Sequence, residues 1–143
     1  MAKQPSSTQL LKAIVEGMQE KKAKNVVSLD FKKIDNAICR FFVICEGESS
    51  TQVDAIADSV RDFARKKTGA SVWGSAGYEN AEWIFLDYGD VIVHIFQPQI
   101  RQYYQLEELW ADCPKKVYQQ KRIRTQLIRK RIRKRTNSAV LIL

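Results

Sequence analysis

Histidine and cysteine are scarce in this chain of 143 residues. It contains one histidine, His94, and three cysteines, Cys39, Cys45 and Cys113, with no CxxC spacing. A structural zinc site takes four ligands, mostly from closely spaced Cys and His residues. An odd number of unpaired cysteines is typical of a reducing compartment. The sequence therefore predicts reduced thiols and no metal site.

Long apolar runs and glycine-rich loops are also missing. No segment approaches the ~20 apolar residues that span a bilayer, and the N-terminus has no apolar core of signal-peptide length. The glycines at positions 69, 74, 77 and 89 are scattered and form neither a GxGxxG nor a Walker loop. We therefore expect a cytoplasmic protein with no membrane contact and no cofactor.

Acidic residues are absent from the last part of the chain. Residues 115–143 carry 11 lysines and arginines and no acid, whereas residues 1–114 carry 13 basic and 16 acidic residues. Pro114 stands where the composition changes. We predict one domain over residues 1–114 and a basic, flexible tail over residues 115–143.

Apolar periodicity predicts the elements of this domain. A stripe of apolar residues at helical spacing predicts a first helix over residues 8–22. Ser49 and Gln52 form a capping box that begins a second helix, and Gly69 ends it. Runs of β-branched and aromatic residues predict strands at residues 25–31, 40–45, 70–73, 83–86 and 91–96, before a helical turn at residues 106–110. We therefore predict an α/β (α+β) fold, a mixed sheet of about five strands packed by helices.

The last two strands are predicted to form an antiparallel hairpin. Gly89 can take the positive φ of a tight turn, which would bring Asp87 and Asp90 close together. Like charges repel at that distance unless water or a cation lies between them. The tip is therefore either a hydrated turn or a site for lysine or arginine side chains of a partner.

Residues 79–112 combine negative charge with large aromatic side chains. Seven acidic residues accompany one cation, Arg101, a local net charge of −6. Trp83, Tyr88, Tyr103 and Tyr104 lie in the same stretch, and aromatic residues beside charges are typical of interface hot spots. Burial in the core is the rival interpretation for Trp83.

The stretch from Trp83 to Trp110 resembles a known family. It reads W-x-x-x-D-Y-G-D-V-I-V-H-x-F and then R-x-x-Y-x-L-E-x-L-W. This pattern is similar to that of the ribosomal silencing factors, also called Iojap-like proteins. The resemblance continues upstream through residues 43–47 and 49–58, and covers about residues 8–112.

The resemblance implies a fold like that of the nucleotidyltransferases and a function without catalysis. Silencing factors dock on the large ribosomal subunit, on its fourteenth protein, at the intersubunit face that the small subunit would otherwise cover. They thereby block subunit joining and repress translation under nutrient limitation. Carried over to this chain, the motif implies that Asp87, Gly89 and Asp90 shape the hairpin tip. The residues implied to contact the partner are Trp83, Tyr88, Tyr104 and Glu107.

The enzymatic alternative fails at one motif. Nucleotidyltransferases carry a Gly-Ser pair and then two aspartates at i and i+2, which hold Mg²⁺ from one strand face. Here Gly74 and Ser75 are followed by Asp87, but position 89 is glycine and the next acid is Asp90. We therefore predict no catalytic residues and no enzyme activity. A nucleotidyltransferase-like enzyme remains the runner-up interpretation.

His94 alternates with Ile92 and Phe96 on a predicted buried strand. This pattern favours a core histidine that is hydrogen-bonded to backbone. A Cys45–His94 pair is the catalytic alternative, although nothing in the spacing supports it.

Two features depart from the family pattern. Many members have a glutamate in a G-V-E-G segment where this chain reads Gly74-Ser75-Ala76-Gly77, so docking would rely more on Glu79 or Glu82. The basic tail is the second departure. Arg129, Lys130, Arg131 and Arg133 are its candidate contacts with ribosomal RNA phosphates.

The tail has competing interpretations. The alternatives to ribosomal RNA contact are contact with an anionic membrane and a purely solubilising role. For the whole protein, a general RNA-binding function through the tail is a third interpretation, beside the silencing factor and the nucleotidyltransferase-like enzyme. The sequence does not show whether the protein is a monomer or a homodimer.

Overall fold

The computed structural model describes residues 6–120. Its elements, in chain order, are α1 (Ser7–Glu20), β1 (Lys24–Asp30), β2 (Phe41–Glu46), α2 (Ser50–Thr68), β3 (Gly74–Ala76), β4 (Trp83–Asp87), β5 (Val91–Phe96), α3 (Pro98–Tyr104), α4 (Leu106–Leu109) and β6 (Lys115–Val117). The strands form one sheet in the order β3-β4-β5-β2-β1-β6. β2 and β5 run parallel, and the other neighbouring pairs are antiparallel. The predicted mixed α/β sheet is confirmed.

The second helix begins and ends where the sequence predicts, whereas α1 ends at Glu20 and not at residue 22. The capping box predicted for α2 is only half formed, because the Gln52 side chain accepts from the Glu48 N–H at 2.7 Å and not from that of Ser49. Ser49 caps α2, because its hydroxyl oxygen accepts a hydrogen bond from the Gln52 N–H at 3.1 Å. Gly69 ends α2 in the left-handed conformation, with φ 76°. Within residues 6–120, no helix combines the length and the apolar character needed to cross a membrane.

The predicted hairpin is β4–β5. Trp83 lies opposite Phe96, and Asp87 lies opposite Ile92. Gly89 has φ 83°, as the tight turn requires. β5 is buried along its whole length between β4 and β2, which explains why its residues are apolar on both faces.

Three elements differ from the prediction. β3 lies at Gly74–Ala76 and not at residues 70–73, although the Trp73 N–H already donates to the Asp87 carbonyl at 2.7 Å. α3 has no apolar stripe, and its signal is Pro98 at the first helical position. The third element is β6, which lies beyond Pro114.

β6 moves the end of the folded part past the predicted boundary at residue 114. Its residues pair with β1, and the Tyr118 N–H donates to the Val26 carbonyl at 2.9 Å. The Tyr118 hydroxyl lies 3.1 Å from the Ser28 hydroxyl. Lys115 and Lys116 made this segment resemble a tail, but lysine is also typical of edge strands. Residues 121–143 of the predicted tail lie outside the described residues.

The two faces of the sheet are covered unequally. α1 and α2 cover one face, where residues such as Ile84 and Leu86 are fully buried. The short helices α3 and α4 and the β1–β2 connection cover the other face. Neither α3 nor α4 has a buried residue, and Trp83 and Phe85 on this face are only partly buried. This incompletely covered face carries the candidate site.

Candidate protein-binding surface

An open groove lies where β4 begins and α3 ends. Its volume is about 470 Å³. The rings of Trp83 and Tyr104 form one wall, with their centroids 4.9 Å apart and their planes tilted by 49°. The structure thus brings together two of the four residues predicted to contact a partner. We call this site the aromatic groove, and its lining residues are Ala76, Gly77, Glu79, Asn80, Glu82, Trp83, Ile100 and Tyr104.

The aromatic groove is acidic. Glu79 and Glu82 are exposed, and neither forms an ion pair with another residue in the range 6–120. Tyr103 extends the aromatic surface on α3 and is 81% exposed. Exposed aromatic rings beside uncompensated carboxylates suit a partner that carries lysine and arginine.

Trp83 belongs to the core and to the surface at once. Its indole stacks on Phe96, with centroids 4.8 Å apart and planes within 28° of parallel. Its Nε1–H donates a hydrogen bond to Nδ1 of His94 at 3.1 Å. Because the side chain is only partly buried, one edge remains available to a partner while the other is fixed.

His94 is a core histidine, but its partner is not the backbone. The ring is 4% exposed and packs against Phe42, with centroids 4.7 Å apart. Burial lowers the pKa of His94 to about 4, so the imidazole is neutral at neutral pH. The predicted hydrogen bond to backbone is wrong, because Nδ1 accepts from the Trp83 indole. Cys45 lies in the core under α1 and α2, on the opposite face, so the Cys45–His94 alternative is also wrong.

The α3–α4 corner is held to the sheet by Arg101, whose side chain is 10% exposed. The guanidinium lies 3.2 Å from the Glu46 carboxylate and 2.7 Å from that of Glu107, and it donates to the Asn25 carbonyl at 2.6 Å. Lys115 lies 2.9 Å from the other Glu107 oxygen. Burial raises the pKa of Glu107, but hydrogen bonds from Lys115 and Arg101 outweigh it and hold the pKa below its usual value.

The structure therefore gives Glu107 a supporting position. Its side chain is 24% exposed, and both carboxylate oxygens already pair within the chain. A direct contact between Glu107 and a partner stays a prediction. The two ion pairs account for an acidic residue at position 107 even when no partner protein is bound.

The structure corrects the prediction for Tyr88. This residue is 5% exposed and packs in the core beneath α2, so a partner cannot reach the ring in this conformation. Its hydroxyl has no hydrogen-bond partner among the described residues. Burial raises the pKa of Tyr88 to about 12. The apolar residues on either side of the turn gave no signal that separates a buried tyrosine from an exposed one.

The hairpin tip lies away from the aromatic groove. Asp87 is four residues from Trp83 along β4, which places them roughly 13 Å apart. An Asp87 carboxylate oxygen accepts from the Gly89 N–H at 2.7 Å, and an Asp90 oxygen accepts from the Ser7 hydroxyl at 3.1 Å. Asp87 and Gly89 therefore shape the turn, whereas the Asp90 carboxylate bonds to the start of α1.

The residues of the enzymatic alternative lie on neighbouring strands. Gly74 on β3 is opposite Asp87 on β4. No group of three or more His, Cys, Asp or Glu side chains that could hold a metal occurs within residues 6–120.

Sequence reasoning missed part of the groove wall. Ile100 and Asn80 carry no motif that would have indicated them. Gly77 has φ 93°, and a Cβ there would overlap the Trp83 carbonyl oxygen, so only glycine allows this close approach. The predicted RNA contacts Arg129, Lys130, Arg131 and Arg133 lie outside the described residues.

Comparison with known proteins identifies the family. The family model described as ribosomal silencing factor during starvation matches residues 4–140. The chain belongs to the ribosomal silencing factor family. It is 43% identical over 109 residues to the ribosomal silencing factor RsfS of Halalkalibacterium halodurans, covering 76% of this chain and 92% of that protein.

Relatives within the ribosomal silencing factor family include a solved structure and a plastid protein. The crystal structure of a Chromobacterium violaceum protein aligns with a TM-score of 0.70 at 34% identity, covering 75% of this chain and 88% of the other. The chloroplastic Iojap protein of Zea mays is 42% identical over 74 residues, which are 52% of this chain and 32% of that protein. The Iojap-like resemblance is confirmed.

Membership in the ribosomal silencing factor family confirms the predicted class of function and corrects the expectation for the tail. Ribosome binding and regulation of translation follow from it. The family match runs to residue 140, so the expectation that residues 115–143 fall outside the family pattern is wrong. The family model therefore matches most of the basic tail as well.

Proposed function

We propose that this chain binds the large ribosomal subunit through its fourteenth protein and blocks joining of the small subunit, thereby repressing translation under nutrient limitation. The observation that carries the proposal is the aromatic groove. It presents Trp83 and Tyr104 side by side, and Glu79 and Glu82 line the same groove.

The chemistry of the groove suits a basic ribosomal protein. Aromatic anchors supply large contact areas at a small loss of side-chain entropy. The two carboxylates attract lysine and arginine side chains and exclude acidic competitors. Tyr103 and Leu109, which are 81% and 70% exposed, extend this surface along α3 and α4.

The proposed mechanism is steric exclusion and needs no reaction. A bound chain at the intersubunit face occupies space that the small subunit requires. Repression then depends on affinity and bulk, and the fraction of blocked subunits follows the concentration of this chain relative to its Kd.

The basic segment adds a second proposed contact. Arg129, Lys130, Arg131 and Arg133 would pair with ribosomal RNA phosphates beside the protein contact. Each neutralised phosphate releases counterions, so the affinity would fall steeply with salt. Removal of residues 121–143 should flatten this salt dependence, and an unchanged slope would contradict the proposed RNA contact.

The contact surface is tested by co-sedimentation with purified large subunits. Trp83→Ala and Tyr104→Ala each remove an anchor and should weaken binding roughly 30-fold, the effect of a hot spot worth about 2 kcal/mol. Trp73→Ala is the matched control, because Trp73 is 79% exposed but lies outside the groove. Unchanged binding of the two groove variants, each shown to be folded, would refute the assignment.

The mechanism is tested by mixing purified large and small subunits with the chain in saturating excess. The expected result is a loss of joined ribosomes on a sucrose gradient, with the chain in the large-subunit fraction. Joined ribosomes at the level of the untreated mixture would refute steric exclusion.

A further inference from the structure

His94 is an unusual choice for the position that it occupies. Its ring is 4% exposed, and the rings of Phe42, Phe85 and Phe96 lie with their centroids 4.7 to 6.0 Å from it. A phenylalanine or leucine would fill this apolar site without burying polar atoms. The imidazole therefore needs a reason beyond packing.

The hydrogen-bond pattern fixes one tautomer. Nδ1 accepts from the Trp83 Nε1–H at 3.1 Å, so a neutral ring carries its proton on Nε2. Nε2 is buried and has no hydrogen-bond partner among the described residues. A buried N–H without a partner is unfavourable, so the only favourable hydrogen bond of the imidazole among the described residues is the one at Nδ1.

The acceptor is directed at the wall of the aromatic groove. Trp83 is held from three sides, by the stack on Phe96, by the ring of Tyr104 and by the bond to His94. The two ring contacts are not directional, so they would also accept an indole turned over about its Cβ–Cγ bond. The hydrogen bond from Nε1 is the contact that defines which edge of the indole faces the groove.

We propose that His94 is a positioning residue for the docking surface: its Nδ1 holds the Trp83 indole in the orientation that receives the partner. This inference rests on the proposed function. His94 touches no partner itself and acts through Trp83.

The first measurement uses the chain alone. Hydrogen exchange of the indole protons, followed by NMR, should show the Trp83 Nε1–H protected and that of the exposed Trp73 unprotected. His94→Phe keeps an aromatic ring but removes the acceptor, and it should lower the protection of the Trp83 proton roughly three- to tenfold. Trp83→Phe assigns the signal.

The second measurement is a double-mutant cycle for binding to large subunits. His94→Phe should weaken binding roughly three- to tenfold in the wild-type background and by less than about twofold in the Trp83→Phe background. Ile92→Val is the control, because it trims a buried neighbour on the same face of β5 without touching the hydrogen bond. If His94→Phe fails to fold, His94→Leu replaces it in the cycle.

The outcomes separate this inference from the proposed function. A wild-type chain that does not bind large subunits overturns the proposed function and the docking role of His94 with it. A wild-type chain that binds, but whose Trp83 indole proton is unprotected, overturns the inference alone. Equal losses from His94→Phe in both backgrounds also overturn it, because a general loss of packing acts without Trp83.

Discussion

Replacement of Arg101 by methionine should destabilise the fold and dismantle the docking surface together. The Arg101 side chain is 10% exposed, and those of Glu46 and Glu107 are 15% and 24% exposed. The guanidinium lies within 3.2 Å of both carboxylates. Removing one partner of a buried ion pair costs about 3–5 kcal/mol, because the other charges stay buried and unpaired. Lys115 still neutralises Glu107, so we take the lower limit of about 3 kcal/mol.

Urea unfolding at neutral pH measures this loss, and thermal unfolding should show a fall in Tm of roughly 12 °C for a fold of this size. Arg65→Met is the matched control. Arg65 is 70% exposed and lies 3.7 Å from Asp62, so its replacement should change stability by less than about 0.5 kcal/mol. Adding Glu46→Gln to Arg101→Met should restore part of the lost stability, since it removes the carboxylate that Arg101→Met leaves without a cation.

Acid pH provides a second check on the same ion pairs. The folded pKa of Glu107 is lowered, so the stability that its pairing contributes is present above the usual carboxyl pKa and is lost as pH falls through the folded pKa. The difference in free energy of unfolding between the wild type and Arg101→Met should therefore become smaller in acid. A loss below about 1 kcal/mol at neutral pH, or a gap that widens in acid, would contradict the role given to Arg101.

Three further changes test other parts of the structure. Removing residues 115–143 should lower Tm by roughly 8 °C more than removing residues 121–143, because only the longer deletion removes β6 and its hydrogen bonds to β1. Between pH 6.5 and about 4, the unfolded chain binds one more proton at His94 than the folded chain does. The free energy of unfolding should therefore fall by about 3 kcal/mol as pH drops through this window. His94→Phe should abolish this part of the pH dependence. Gly77→Ala should cost about 3 kcal/mol or more by overlap with the backbone of β4, whereas Gly74→Ala in the same edge segment should cost less than about 1 kcal/mol, as urea unfolding can measure.

The long elements could be predicted because their signals are local. The cap at Ser49, the glycine at position 69 and the turn glycine at position 89 each act within a few residues of their element. β6 could not be predicted in this way. Its pairing with β1 joins residues that are about 90 positions apart, and its lysines resemble those of the basic segment that follows. Strand pairing of that kind depends on the tertiary fold and leaves no local pattern.

The candidate site was predictable in composition but not in geometry. Trp83 and Tyr104 could be selected because aromatic residues beside acids favour an interface, and the fold brings their rings together. Tyr88 has the same sequence signal but turns toward the core beneath α2. The alternation of a strand assigns residues to opposite faces, yet it does not say which face is covered by long helices and which by short ones.

Glu107 shows why contact and support must be separated experimentally. Glu107→Ala should weaken ribosome binding under either role, because the carboxylate either touches the partner or holds α3 and Tyr104 in place through Arg101. The two roles differ in the effect that Glu107→Ala has in the Arg101→Met background. If Glu107 supports, Arg101→Met lowers binding and Tm together, and Glu107→Ala adds little to it. If Glu107 contacts the partner, Glu107→Ala lowers binding further in the Arg101→Met background, and the salt dependence of association falls with it.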